Sequence, residues 1–373
     1  MAGSYIVAGA RTPIGKMSGA LASFSAADLG SIAIKAALER AGVSPNEVDH
    51  VIMGQVLMAG QGQVPSRQAA AKAGIPMSVP AINVNKVCLS GLNSIYLADQ
   101  MIQAGDADIV IAGGMESMTN APYIASGARG GFRYGNTELK DAIIADGLWC
   151  SFDSCLMGLG TERYTAGNIS RQQQDDLAMK SNQRAAAAIA AGRLADEIVS
   201  ISIPQRKGDP LVIANDEGVR AETTMESLGG LKPAFDKDGT ITAANASQLS
   251  DGGSAVVMMS ERFVKDRGIK ALGQVVSYGM VAGPDNASLL TQPSRAILKA
   301  LNKVGMKVSD INLFELNEAF ATVGIASMAD LGISDDIVNV NGGAIALGHP
   351  IGMSGNRVAL TILHELRRRG GGV

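Results

Sequence analysis

An internal echo limits most strongly what this chain can fold into. The stretch Ala37-Leu38-Glu39-Arg40-Ala41-Gly42, followed by Val48-Asp49-His50-Val51-Ile52, returns as Ala300-Leu301-Asn302-Lys303-Val304-Gly305, followed by Ile311-Asn312-Leu313-Phe314. A second echo comes in the same order. Asn83-Val84-Asn85 opens the segment holding Cys88, and Asn339-Val340-Asn341 opens the one holding His349. Both segments then reach a Ser-Gly pair, Ser90-Gly91 and Ser354-Gly355. Two echoes in one order favour duplication over coincidence among common residues. Such self-similarity implies two related halves, each helix–strand–helix–strand.

The local patterns agree with that plan. Short apolar runs at Tyr5–Ala8, Val51–Gln55, Ile82–Val84 and Ile109–Ala112 predict buried strands. The opening Met1-Ala2-Gly3-Ser4-Tyr5-Ile6-Val7 reads as a strand and lacks the features of a secretory leader. Helical spacing runs through Ala27–Ala41 and Leu89–Gln103, with stop signals at Gly42 and Gly105. Alternation of this kind predicts an α/β fold with a largely parallel sheet. From Thr119 to about Asn245 the pattern changes: this stretch carries half of the six tyrosines, the only Trp and several charged clusters. It reads as an inserted subdomain facing the substrate.

Composition removes several function classes. The 32 Lys+Arg against 35 Asp+Glu leave no broad basic face, and aromatics at 4% offer few stacking platforms, so no nucleic-acid partner is expected. The longest apolar runs are too short to span a bilayer, so no membrane partner is expected either. Cys88, Cys150 and Cys155 are too few for a disulfide framework, and no Cys/His cluster has zinc spacing. A reducing, cytoplasmic setting and no metal are the expectation. The Gly-Gly pairs form neither a dinucleotide fingerprint nor a P-loop. The run Arg367-Arg368-Arg369 is expected to complement a helix C-terminus.

Three residues stand out chemically. Cys88, in Asn85-Lys86-Val87-Cys88-Leu89-Ser90-Gly91, falls between a predicted strand and a predicted helix. The helix dipole there is expected to favour thiolate. A lone cysteine is more often inert and buried, and it is the strand–turn–helix position that tips the reading towards a nucleophile. His349 lies in Asn341-Gly342-Gly343-Ala344-Ile345-Ala346-Leu347-Gly348-His349-Pro350, where glycines allow close backbone approach and proline stiffens the loop. His50 and His364 are expected to be structural or surface residues. Asn317, in Glu315-Leu316-Asn317-Glu318-Ala319-Phe320, is explicable as a bland helix cap or as a site residue holding a water. Cys, His and Asn together also suit a cysteine protease, though the duplicated Gly-rich pattern argues against one.

At these residues the sequence resembles the thiolase family. Matching motifs run from Ala10-Arg11-Thr12-Pro13-Ile14-Gly15 to His349-Pro350-Ile351-Gly352-Met353-Ser354-Gly355. Between them lie the Cys88 segment, Gly113-Gly114-Met115-Glu116-Ser117-Met118, Lys232-Pro233-Ala234-Phe235, Asn317-Glu318-Ala319-Phe320 and Asn339–Pro350. They cover essentially the whole chain in the expected order.

The resemblance implies a duplicated thiolase-like fold, two α/β halves in a layered αβαβα arrangement with an inserted loop domain. The halves would be residues 1–118 plus about 246–270, and residues 271–373, with 119–245 inserted. It implies an acyltransferase that condenses two acetyl-CoA to acetoacetyl-CoA, or runs the reverse thiolysis, through an acetyl thioester on Cys88. His349 would accept the thiol proton and, with a water held by Asn317, stabilise a thioester oxygen. Positions resembling CoA-contacting residues are Arg220, Ser227, Ala246, Ser247 and Phe320, with Leu148 nearby, and Met157 matches a residue that narrows the acyl pocket. Coenzyme A would enter only as part of the substrate, and a homotetramer built from dimers, or a homodimer, is implied.

The sequence departs from the family's pattern in three places. Thiolases draw the base for condensation from a second cysteine in a Cys-x-Gly motif on a final strand, and this sequence ends at Gly370-Gly371-Gly372-Val373. A shortened sequence is the expectation, and the alternative is a catalytically impaired CoA- or acyl-binding protein. Losing that strand would also expose a sheet edge. Leu156 and the stretch Ser288–Pro293 depart from the pattern near the CoA and acyl contacts.

Overall fold

The computed structural model describes residues 3–373, so Met1 and Ala2 of the expected first strand lie outside the described residues. The first half alternates as its sequence predicts: β1 (Ser4–Arg11), α1 (Ala26–Ala41), β2 (His50–Gly54), α2 (Pro65–Lys72), β3 (Ala81–Val84), α3 (Ser90–Ala104) and β4 (Ile109–Ser117). Ser25 starts α1 with a reciprocal cap to Asp28, and Gly42 ends it with φ of 63°. Gly105 ends α3 in the same left-handed conformation.

The insertion supplies three two-stranded ribbons and the helices α4 (Met157–Thr165) and α5 (Arg171–Ala190). The chain then re-enters the sheet as β5 (Ser250–Ser260) and β6 (Gly273–Gln274). Helices α6 (Gln292–Val304), α7 (Ala321–Leu331) and α8 (Ile351–Arg368) belong to the second half.

The main sheet runs β6-β1-β5-β4-β2-β3, with the short strand Gly15–Lys16 also pairing with β5. It is mixed, which corrects the largely parallel sheet expected from the alternation. β2 is parallel to β3 and β4, whereas β5 is antiparallel to both β1 and β4. The reason lies in the connection: β5 arrives from the long insertion and not from a crossover helix, so nothing obliges it to run parallel.

The sheet is covered on both faces, and its strands alternate accordingly. In β4, Ile109, Ile111 and Met115 face a core with Ala33, Ile34 and Ala37 of α1. Val110 and Ala112 face Ile95, Ala98 and Ile102 of α3, with Leu360 of α8. A helical layer of α3 and α8 therefore lies against the sheet's second face.

Beyond that layer, Phe314, Leu316 and Val338 pack with Met328 and Leu331 of α7 and with Ile297 and Leu298 of α6. The second half's extended segments share one parallel bridge, Phe314 to Val338, and no ladder among the described residues. A side chain links them as well. Asn339 accepts from the Leu316 N–H at 2.8 Å and donates to the Leu316 carbonyl at 2.9 Å. Among the described residues no helix is long and apolar enough to cross a membrane.

Candidate active site

Cys88 sits in a tight turn between β3 and α3. Val87 takes a φ of 48°, and the turn is fixed by side chains from both ends. Asn85 Oδ1 accepts the Val87 N–H, while Ser90 Oγ accepts the Lys86 N–H and donates to the Val87 carbonyl. His349 comes from the equivalent place in the second half, just before α8. Its N–H donates to the Gln248 carbonyl and lies 3.2 Å from Ser250 Oγ.

The two turns meet because their helices cross through glycine. A Cβ on Gly91 would lie 2.7 Å from the Asn356 nitrogen, and one on Gly114 would collide with the Gly352 carbonyl oxygen. A Cβ on Gly355 would collide with the backbone of Leu92. Only backbone fits there. The repeated Ser-Gly pairs thus face each other, and His349 Nε2 lies 3.1 Å from Cys88 Sγ.

The other ring nitrogen is anchored. His349 Nδ1 is 2.5 Å from Ser354 Oγ, which donates its own hydrogen to the Pro350 carbonyl at 2.9 Å. That pattern assigns the imidazole hydrogen to Nδ1 and leaves the Nε2 lone pair facing the thiol. Asn317 Nδ2 approaches Nε2 at 3.4 Å, and Asn317 Oδ1 is buried with no partner. Asn317 itself follows an irregular segment, and the nearby helix α7 starts after Phe320. It is therefore not the helix cap that the bland reading offered.

The electrostatics correct one expectation. Cys88 precedes the first residue of α3 by two positions, and burial pushes its thiol up to about 11. Its own backbone N–H opposes the shift, and the nearby Glu116 carboxylate reinforces it. Cys88 is half-buried as a residue and packs against the apolar cluster of Val56, Leu57, Met118 and Ile351. Desolvation outweighs the helix dipole. Burial, with Arg357 adding to it, depresses His349 to about 4. Both partners therefore rest neutral, a thiol bonded to an imidazole that can take its proton.

Glu116 and Glu318 hold the site from behind. Glu116 accepts from the N–H groups of Val56, Leu57 and Gly352, pinning the start of α8 to the sheet, and burial raises it to about 7. Glu318 accepts from Ser181, Asn339 and the Ile345 N–H, linking α5 to the glycine loop before His349. A Cβ on Gly343 would run into the Glu318 carboxylate. Arg357 is buried on α8 and paired with Glu315 at 3.0 Å, and burial raises that carboxyl to about 8.

The expected CoA and acyl positions fall into two groups. Leu148 packs in the apolar cluster that holds Cys88. Ala246 bridges to Phe320, and the Ser247 N–H donates to the Ala319 carbonyl, so Ala246 and Ser247 pair with the segment that follows Asn317. Met157 begins α4 and is half-buried. Arg220 and Ser227 lie exposed on the insertion, Arg220 tied through its N–H to Asn182 and Ser227 on the short helix Met225–Gly229.

Sequence reasoning did not single out Ser354, Gln248, Ser250 or Glu116. Ser354 and Glu116 stood inside quoted motifs, five residues after His349 and in the Gly-Gly-Met-Glu stretch respectively. No group of three or more metal-binding side chains occurs among the described residues. An open groove of about 560 Å³ lined by Arg295, Lys299 and Lys303 lies on α6 and includes none of the three central residues.

Comparison with known proteins agrees with this geometry. The thiolase N-terminal domain model matches residues 4–262, and the thiolase C-terminal domain model matches residues 269–373. A probable acetyl-CoA acetyltransferase of Mycolicibacterium smegmatis is 54% identical over 368 residues, 98% of this chain and 95% of the relative. An acetyl-CoA acetyltransferase of Cupriavidus necator is 50% identical over 365 residues, 98% of this chain and 93% of the relative. The acetyl-CoA acetyltransferase of Pseudomonas aeruginosa is 49% identical with the same coverage of both chains. With family models covering nearly its whole length and a cysteine–histidine pair where its two halves meet, this chain belongs to the thiolase family.

Proposed function

We propose that this chain is an acyltransferase that takes an acetyl group from acetyl-CoA onto Cys88, condensing two acetyl-CoA to acetoacetyl-CoA or running the reverse thiolysis. The observation that carries the reading is the 3.1 Å contact between Cys88 Sγ and His349 Nε2, with Nδ1 anchored on Ser354. As the sulfur attacks the thioester carbonyl, its proton passes to Nε2. The CoA sulfur then leaves and takes that proton, so the acetyl enzyme forms with the imidazole neutral again. Asn317 Nδ2, beside Nε2, is a donor for a thioester oxygen, and its unpartnered Oδ1 is free to hold a water. The reaction draws on no cofactor beyond the CoA of its substrates.

The binding assignments are part of the same proposal. Leu148 and Met157 would bound the acyl end, while Ala246, Ser247 and Phe320 would line the approach of the CoA chain. Arg220 and Ser227, both exposed, would meet its outer part. We assign the domains as residues 1–118 with about 246–270, the inserted 119–245, and 271–373. The family-model junction between 262 and 269 supports the last boundary. A cytoplasmic homotetramer or homodimer is the proposed form.

Incubation with acetyl-CoA followed by intact mass and peptide analysis tests the chemistry. One acetyl group on Cys88, absent in Cys88→Ala, is expected. CoA binding without that adduct would overturn the acyl-transfer reading.

A further inference from the structure

Cys150 and Cys155 take no part in the chemistry above, yet the fold sets them face to face. They lie on the ribbon formed by Trp149–Cys150 and Cys155–Leu156, paired antiparallel with Cys150 directly opposite Cys155. Directly opposed residues of an antiparallel pair project to one face, with Cα atoms about 4.5–5.5 Å apart. That spacing falls inside the Cα range of about 4.4–6.8 Å that a disulfide spans. Both cysteines are free thiols in the structure.

Other contacts hold this arrangement. Cys150 Sγ accepts the Asp153 N–H at 3.4 Å, which turns the sulfur in towards the loop. Asp153 is in turn fixed from two sides, by the Tyr164 hydroxyl of α4 and by Asn286 Nδ2 at 2.6 Å. Ser154 closes the loop with a φ of 49°. The two thiols also differ in access: Cys150 is half-buried, whereas Cys155 is only 4% exposed. One is placed to meet a reagent and the other to resolve the product.

We propose that Cys150 and Cys155 form a modification site, a dithiol that closes to a disulfide by exchange with a low-molecular-weight disulfide. The Cys150 thiolate, its proton lost to solvent, attacks one sulfur of the reagent and releases one thiolate. The Cys155 thiolate then attacks Cys150 Sγ in the mixed disulfide and releases the second. Two protein thiols are oxidised, one reagent disulfide is reduced, and the released thiolates take up the two protons. In a reducing compartment such a bridge is transient and responds to oxidant. Its ring lies between Leu148, which packs with Cys88, and Met157, so oxidation stiffens the link between them.

The test uses the full chain and oxidised glutathione, followed by alkylation, digestion and mass spectrometry. The peptide carrying both cysteines is expected to lose two hydrogens, to resist alkylation, and to recover both properties with dithiothreitol. Cys155→Ser should stop at a glutathione adduct on Cys150, and Cys150→Ser should leave Cys155 unmodified. Glutathione adducts without the internal bridge in the unmutated chain would overturn the proposal, as would a bridge to Cys88 or no reaction at all. Repeating the treatment on Cys88→Ala separates this chemistry from that of the acyl site. The bridge should form there equally.

Discussion

Ser354 Oγ stands 2.5 Å from His349 Nδ1 while donating to the Pro350 carbonyl, so one hydroxyl fixes both the tautomer and the tilt of the base. Ser354→Ala leaves the Nδ1 hydrogen buried without an acceptor. The penalty for such a group is about 1–3 kcal/mol. Single-turnover acetylation of Cys88 should slow by roughly 5- to 150-fold, since about 1.4 kcal/mol is tenfold in rate. An unchanged rate would show that Ser354 does not position the imidazole.

The pH dependence of acetylation follows from the same pair. His349 is depressed to about 4 by burial and by Arg357, so it remains neutral, and competent as a base, at every pH above that value. Acetylation of Cys88 should hold steady from neutrality down to about pH 5 and fall only as His349 becomes protonated. A break near the ordinary histidine value would contradict this. The folded pKa lies below the unfolded one, so the unfolded chain binds more protons between them. Stability from this group is therefore complete above about 6.5 and is lost as pH falls towards 4, by about 1.4 kcal/mol per unit.

The thiol itself should stay protonated well past neutrality. With Cys88 pushed up to about 11, first by burial, the ultraviolet thiolate signal of the chain minus that of Cys88→Ala should show no step below about pH 10. A step below pH 8 would mean that the resting site is an ion pair.

The glycine crossing predicts a structural failure distinct from the chemical ones. Gly114→Ala puts a methyl group into the Gly352 carbonyl, with backbone on both sides and no flexible side chain to yield. Overpacking costs about 1–3 kcal/mol and shifts backbone. The urea midpoint should fall, and acetylation should slow as Cys88 and His349 move apart. Equal stability and rate would remove the crossing from its role.

Arg11 makes a further test away from the reaction. It is fully buried on β1 and bonded to Glu197 at 2.7 Å and to both oxygens of Asp216, tying the sheet to the insertion. Arg11→Ala strands two buried carboxylates and should cost about 3–5 kcal/mol in chemical denaturation. Arg11→Lys, without the planar fork, should recover only part of it.

Much of this was legible in the sequence because it depends on local order. The strand and helix of each half, their glycine stops and the placing of Cys88 and His349 after paired echoes are all properties of short segments. β5 was harder to read. Val256–Met259 reads as a buried run in either direction, and its antiparallel sense is set by the path of the insertion. Ser354 stood in a repeated Ser-Gly pair and Gln248 in no pattern, but the role of each escaped because it rests on which atoms meet His349. The resting charge state was read in the wrong direction from the helix dipole. Sequence shows the helix, but only packing shows how little water reaches the sulfur.

The contact of bare backbone at Gly91, Gly114, Gly352 and Gly355 has a consequence for how the protein can change. The spacing of nucleophile and base is set there by main-chain thickness, a dimension that side-chain substitutions elsewhere do not alter. The insertion around Leu148 and Met157 is built separately, from ribbons and short helices. On the proposed assignment of Leu148 and Met157 to the acyl end, exchanges there would admit larger or more polar acyl groups while the inner pair keeps its register. For a protein engineer the molecule divides into a part to be left alone and a part open to redesign, and the line between them runs along four glycines.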